Sequence, residues 1–294
     1  MEMLYGTGHS GTLRTLLELG KVLLDQGRYK SAEEAIRRSL DVDRSTKDHN
    51  QVHRLDALDL LGRTLRLQGC FPEALKLHVR VLTSRKTLFG SEHPSTLRSM
   101  GHLASTYRIQ GRWKEAEVQQ TEVMETSLRL MGRDHLDTLR SIRKLAQILV
   151  DQGQWKRAEE LLMQAAETSV RELGLGDIDT LKCHACLALT RGHQGRWKDA
   201  ASLQLQVMES RLRVLGQDHP DTLSSMGNLA STYRSQGRWK EAESLGVQVM
   251  EMSVRVLGQE HPDTLSSMGS LASTRLAVLL ASRSGVGTRV HQVS

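Results

Sequence analysis

Gly237-Arg238-Trp239-Lys240-Glu241-Ala242-Glu243 is the stretch that settles what kind of chain this is. Its glycine has counterparts at Gly27, Gly69, Gly111, Gly153 and Gly195, each 42 positions after the one before. A fixed period of this size marks a repeat architecture, in which one unit cannot bury its apolar face alone and does so by stacking on the next. Two places after the glycines stand Tyr29, Phe71, Trp113, Trp155, Trp197 and Trp239, so all 4 tryptophans of the chain share one slot. Three places further on come Ala32, Ala74, Ala116, Ala158, Ala200 and Ala242. A bulky side chain and a small one at fixed spacing predict packing between neighbouring helices. Trp113, Trp155, Trp197 and Trp239 are therefore read as structural repeat positions rather than a ladder for stacking bases or sugars. Loss of one, as in Trp197→Ala, is expected to cost about 3–5 kcal/mol if the ring is a core residue.

A second marker gives the start of each unit. It is a leucine preceded by threonine in all but one case: Thr12-Leu13, Arg54-Leu55, Thr96-Leu97, Thr138-Leu139, Thr180-Leu181, Thr222-Leu223 and Thr264-Leu265. The units are thus 12–53, 54–95, 96–137, 138–179, 180–221 and 222–263, with a half unit over 264–281. In the unit from Thr96, the set Leu97, Met100, Leu103, Ala104 and Tyr107 follows the i, i+3, i+4 spacing of an amphipathic helix. Gly111 ends it, and a second helix runs from about Trp113 to about Leu130 before Gly132 breaks it.

The loops carry a further signal. His93-Pro94-Ser95-Thr96, His219-Pro220-Asp221-Thr222 and His261-Pro262-Asp263-Thr264 each lead into a helix start, with Asp, Ser or Thr as the expected cap. The histidines are a full unit apart, so they are read as polar residues tucked against helix termini and not as ligands of one metal. Cys183-His184-Ala185-Cys186 offers at most half a zinc site, with His193 as one more possible ligand, and no metal site is expected from it.

Pairs of helices with Leu-Ala in the first, glycine at the turn and alanine early in the second resemble tetratricopeptide repeats. The long period and the His-Pro-Asp-Thr-Leu and Gly-Arg-Trp-Lys-Glu-Ala-Glu motifs resemble the kinesin-light-chain type, in particular repeats of fungal proteins that follow nucleotide-binding signalling modules. The resemblance covers residues 12 to about 274. It implies an all-α fold, a right-handed α-α superhelical solenoid of helix-turn-helix repeats with a 42-residue period. The second, fourth and fifth units depart from it, with Gln51-Val52, His135-Leu136 and Asp177-Ile178 in place of His-Pro, but they keep the spacing and so their helices. After Thr274 the pattern lapses, and the last helix is expected to cap the stack. Residues 1–11 read as a short lead-in and 282–294 as a disordered tail.

Composition fits. Charged residues make up 25% and hydrophobic ones 38%, which suits an elongated array better than a compact globule. Only 3 cysteines rule out a disulfide framework, no basic-then-apolar leader opens the chain, and no apolar run reaches the ~20 residues that span a bilayer. The expected location is cytoplasmic.

In tetratricopeptide arrays the first helix of each unit lines an inner face that holds extended peptides. Carried over by position, that face takes Arg63, Arg66, Arg98, His102, Arg108, Arg140, Arg143, Lys144, Lys182, Asn228 and Arg234. These are mostly cations, with Asp56, Asp59 and Asp151 the few carboxylates. A concave surface of one sign attracts the other, and arginine binds carboxylates in bidentate fashion. The expected function is a protein-interaction scaffold binding an acidic partner segment. One alternative is the sensing or autoinhibitory array of a larger receptor of the nucleotide-binding kind. Nucleic-acid binding is less favoured despite an isoelectric point of about 9.4. No phosphate loop, His-Glu-x-x-His or Gly-x-Ser-x-Gly occurs, so no enzyme, cofactor or small-molecule substrate is expected.

Overall fold

In the repeat that opens at His93, the backbone and its side chains agree on where a helix begins. His93 adopts an extended conformation, and its Nδ1 accepts from the Ser95 amide at 3.2 Å. Pro94 follows at the first helical position, where its missing N–H costs nothing. The same device recurs with His135 on Asp137 N at 3.2 Å, His219 on Asp221 N at 3.0 Å and His261 on Asp263 N at 3.2 Å. In the fifth repeat Asp177 does this with Oδ1, accepting from Asp179 N at 2.8 Å. The histidines are thus helix-terminal residues, as their spacing predicts. The cap itself is corrected: it is the residue immediately before the helix, histidine in four repeats and Asp177 in the fifth, and not the Asp, Ser or Thr behind it, because that residue has the extended backbone that aims a side chain at the free amides.

The computed structural model describes residues 10–45 and 51–283. Residues 1–9 of the expected lead-in and 284–294 of the expected tail lie outside them. The described residues form 13 helices and no strand. They are α1 (Ser10–Asp25), α2 (Tyr29–Ser45), α3 (Gln51–Leu67), α4 (Phe71–Phe89), α5 (Pro94–Ile109), α6 (Trp113–Met131), α7 (Leu136–Asp151), α8 (Trp155–Leu173), α9 (Ile178–His193), α10 (Trp197–Leu215), α11 (Pro220–Ser235), α12 (Trp239–Leu257) and α13 (Pro262–Arg283). Odd-numbered helices are the first helices of the repeats and even-numbered ones the second. The divergent second, fourth and fifth repeats keep theirs.

Each first helix stops where the sequence places a glycine. Gly111 has φ +74°, a left-handed value that suits a residue without Cβ. The Arg112 amide then donates to the Tyr107 carbonyl at 2.9 Å and the Gly111 amide to Arg108 at 3.1 Å, which closes the end of α5.

The chain forms two compact bodies, Met1–Gln152 and Gly153–Ser294. Within each, every helix packs on the next, and first helices also touch the following first helix: α1 with α3, α3 with α5 and α5 with α7 in one body, α9 with α11 and α11 with α13 in the other. Among the described residues, second helices make no such contact with one another. First helices are therefore the inner row of each body.

The core of the first body is aliphatic. Leu17, Leu24, Ile36, Leu61, Leu65 and Ala74 cluster across α1 to α4, and Leu82, Leu97, Met100, Leu103 and Val123 across α4 to α6. In the second body Leu223, Met226, Val249 and Met252 do the same across α11 and α12. Burying one such side chain contributes about 1.5–3 kcal/mol. The periodic alanines sit at the tightest points: Ala32, Ala74, Ala116, Ala158 and Ala200 are all 0% exposed. The tryptophans differ from expectation. Trp113, Trp155 and Trp197 keep 42%, 39% and 37% of their surface exposed. They open the second helix, beside the turn, and cover the end of the first helix rather than fill the core. A Cβ on Gly192 would lie 3.3 Å from the Trp197 ring, and Trp155 stacks on His193 with ring centroids 6.2 Å apart.

The glutamate of the Ala-Glu motif acquires a role from stacking. Gln68 donates to Glu33, Gln152 to Glu117 and Gln194 to Glu159, each at 2.9 Å. At these three turns the glutamine before the glycine thus ties one repeat to the second helix of the repeat before.

Candidate functional site

Eight of the predicted groove residues lie on α3, α5 and α7, which adjoin in the first body. Arg63 and Arg66 come from α3, Arg98, His102 and Arg108 from α5, and Arg140, Arg143 and Lys144 from α7. Gly101 makes room for the longest reach. A Cβ there would lie 3.3 Å from Lys144 Nζ and 3.7 Å from Gln120 Oε1, so a larger residue would crowd the ammonium. Gln120 is buried, its Nε2 donating to the Ser141 carbonyl at 3.1 Å, and its Oε1 is left without a hydrogen-bond partner. Leu97, Arg98, Gly101, Gln120, Arg140 and Lys144 line a cavity of about 230 Å³.

Crowding of like charge shows in the ionisation of these groups. Burial, with the charges of Arg143, Arg63, Arg66 and Arg140, pushes the Lys144 ammonium down to about 8. Burial and the charges of Arg63 and Arg108 lower Arg66 to about 10. Burial also lowers His102, to about 4, against the attraction of Asp59.

Not every predicted cation is available. Arg108 Nη1 meets Asp151 at 2.7 Å, Arg140 meets Asp137 at 3.5 Å, and His102 Nδ1 lies 3.0 Å from Asp59 Oδ1. Arg63, Arg66, Arg143 and Lys144 are different. They pair with no carboxylate among the described residues, and Arg66 Nε and Arg143 Nε are buried with no hydrogen-bond partner.

In the second body Lys182 on α9 lies 4.0 Å from Asp221. Asn228 and Arg234 on α11 line a cavity of about 310 Å³ that also takes Gly246 of α12 and Leu271 of α13. Cys183 and Cys186 are buried on α9, and among the described residues no third ligand joins them.

The sequence reading passed over the group that fixes α3, α4 and α5 together. Arg85 of α4 is 2% exposed. Its Nη1 donates to Ser99 Oγ at 2.6 Å, the Ser95 carbonyl at 3.2 Å and Asp59 Oδ2 at 3.3 Å, and its Nη2 meets Asp56 Oδ1 at 2.5 Å. Burial opposes ionisation of Asp59, but His102 and Arg85 outweigh it and hold the carboxyl well below the usual carboxylate range. One signal was present. The slot of Arg85 reads Asp43, Arg85, Ser127, Ser169, Arg211 and Ser253 through the repeats, and Arg211 likewise donates to Ser225 Oγ at 2.7 Å.

Comparison with known proteins decides the family. A tetratricopeptide-repeat model matches residues 54–129, 103–169 and 180–253, and a second matches 13–46. The chain belongs to the tetratricopeptide-repeat family. Among curated proteins nothing matches. A solved structure of Podosopora anserina putative kinesin light chain nearly identical TPR-like repeats is 29% identical, with a TM-score of 0.54 over 69% of this chain and 96% of that one. BtubC (BKLC) from P. vanneervenii is 18% identical, with a TM-score of 0.57 over 80% of this chain and 91% of that one. A Rap protein complexed with Competence and Sporulation Factor is 10% identical, with a TM-score of 0.64 over 91% of this chain and 76% of that one. The last two share the fold alone. These repeats are thus of the kinesin-light-chain-like kind, and tetratricopeptide arrays serve as protein-interaction scaffolds. No described helix is long and apolar enough to cross a membrane.

Proposed function

We propose that this tetratricopeptide array is a non-catalytic scaffold whose first-helix row in the Met1–Gln152 body holds an acidic segment of a partner protein. The observation that carries this is the group Arg63, Arg66, Arg143 and Lys144, four cations on α3 and α7, the two first helices that flank α5, with no carboxylate of their own among the described residues. Such crowding destabilises the empty groove, and an incoming carboxylate relieves it. Arginine forks present two donors to one carboxylate, and partial burial shields the contact from salt. Arg98 at the rim would draw the segment in. Asp137 and Asp151 are spent on Arg140 and Arg108, which narrows the binding set to fewer residues than the sequence pattern offers.

The test uses labelled peptides carrying runs of glutamate, of lysine or of glutamine, with binding followed by fluorescence anisotropy. Glutamate peptides should bind, more weakly as salt rises, and Arg63→Glu with Arg143→Glu and Lys144→Glu should weaken them at least tenfold while helicity by circular dichroism is kept. Equal affinity for glutamate and glutamine peptides, or no change in the charge-reversed protein, would sink the proposal.

A further inference from the structure

Behind the inner row, Asp59 of α3, His78 of α4 and His102 of α5 meet in one buried cluster, with one ligand atom from each lying within 4.8 Å of the others. His102 Nδ1 is 3.0 Å from Asp59 Oδ1, and His78 Nδ1 is 3.7 Å from that same oxygen. The second separation is too long for a hydrogen bond, and both ring nitrogens of His78 are left without a hydrogen-bond partner although the side chain is 0% exposed. A buried imidazole with neither nitrogen satisfied is an unfavourable arrangement. A shared metal ion removes the difficulty. With metal–nitrogen and metal–oxygen bonds of about 2.0–2.1 Å, two ligands on one tetrahedral ion stand about 3.3 Å apart, midway between the two separations seen here.

We propose that Asp59, His78 and His102 form a site for a zinc ion, with Asp59 Oδ1 and a nitrogen from each imidazole as its ligands. Two imidazoles and one carboxylate suit zinc among the divalent cations. The surroundings supply what such a site needs. Arg85 donates to Asp59 Oδ2 at 3.3 Å, which helps to orient the carboxylate, while His102 Nδ1 lies 3.0 Å from Oδ1 and 3.1 Å from Oδ2, and Asp56 on the far side of Arg85 balances its charge. Gly62 makes space: a Cβ there would lie 2.8 Å from His78 Cε1. The cluster belongs to one repeat boundary only. The slot of His78 holds Ile36, Gln120, Leu162, Gln204 and Gly246 elsewhere, and that of Asp59 holds Leu17, Gly101, Arg143, Ala185, Gly227 and Gly269.

The experiment is titration of the chelator-treated full chain with cobalt(II), read by its visible absorption, followed by displacement with zinc. One equivalent should give a tetrahedral nitrogen–oxygen spectrum that zinc abolishes. Affinity should fall at least tenfold in His78→Gln and in His102→Gln, and remain in Cys183→Ser with Cys186→Ser. Glutamine is chosen because Gln120 and Gln204 occupy the His78 slot in folded repeats. If His78→Gln fails to fold by circular dichroism, His102→Gln, at a side chain 13% exposed, decides alone. Absence of a one-equivalent spectrum, its persistence in the folded histidine variants, or its loss in the cysteine variant would each overturn the proposal.

Discussion

Arg85 shows how unevenly single residues hold this protein together. It is one of the largest fully buried side chains, and it bridges α3, α4 and α5 through Asp59, Asp56 and Ser99. Arg85→Met leaves Asp59 charged, buried and stripped of its cation, which should cost about 3–5 kcal/mol in urea denaturation. Arg129→Met breaks an ion pair with Glu92 in which both side chains are more than half exposed, and should change nothing measurable. Lys144 sets a pH dependence. Its pKa in the unliganded protein is near 8, below the ordinary lysine value, so the folded state gives up this proton before the unfolded chain does. The cost of holding it is complete below pH 8 and is relieved between 8 and the unfolded value. A bound carboxylate favours the charged form, so affinity for a glutamate peptide should be full below pH 8 and fall as pH rises above it. Lys144→Met should flatten that fall, and an unaltered profile would remove Lys144 from the site. Trp197 was legible as a repeat position but not in its exposure, because spacing fixes the slot and not the depth. With 37% of its surface exposed, Trp197→Ala should cost about 1–3 kcal/mol, less than a full core loss, measured by chemical denaturation.

At the level of the helix, most of the architecture could be read directly. The 42-residue period, the turn glycines and the leucine markers place every described first and second helix, since local propensity and stacking ask for the same boundaries. The capping chemistry was less legible. An imidazole nitrogen and a carboxylate two residues away can both accept, and only the extended backbone of the residue before the helix selects the histidine. His219→Ala should therefore lose about 1 kcal/mol of stability. His219→Asp should lose little, since Asp177 already caps α9 in that way. Equal stability of the alanine variant and the parent, by denaturant midpoint, would show that the imidazole contributes nothing.

Across the whole molecule, the row of first helices was legible because a repeat puts like positions side by side. What the row contains was only partly so. Arg108 and Asp151 are 43 residues apart, as are Asp59 and His102, and such partners appear only when one repeat is laid on the next with its side chains in place. The pattern could show an excess of cations but not which of them the chain already neutralises; in the first body five of the predicted ones have no carboxylate among the described residues, the exposed Arg98 and the less exposed Arg63, Arg66, Arg143 and Lys144. The account rests on the partner lying against first helices rather than second ones. The direct measurement is photo-crosslinking from a reactive phenylalanine analogue placed singly at Arg98, on the inner row, or at Val118, which is 66% exposed on the second helix α6. A bound glutamate peptide should form adducts from position 98 and none from 118; adducts from 118 equal to or above those from 98 would contradict the account.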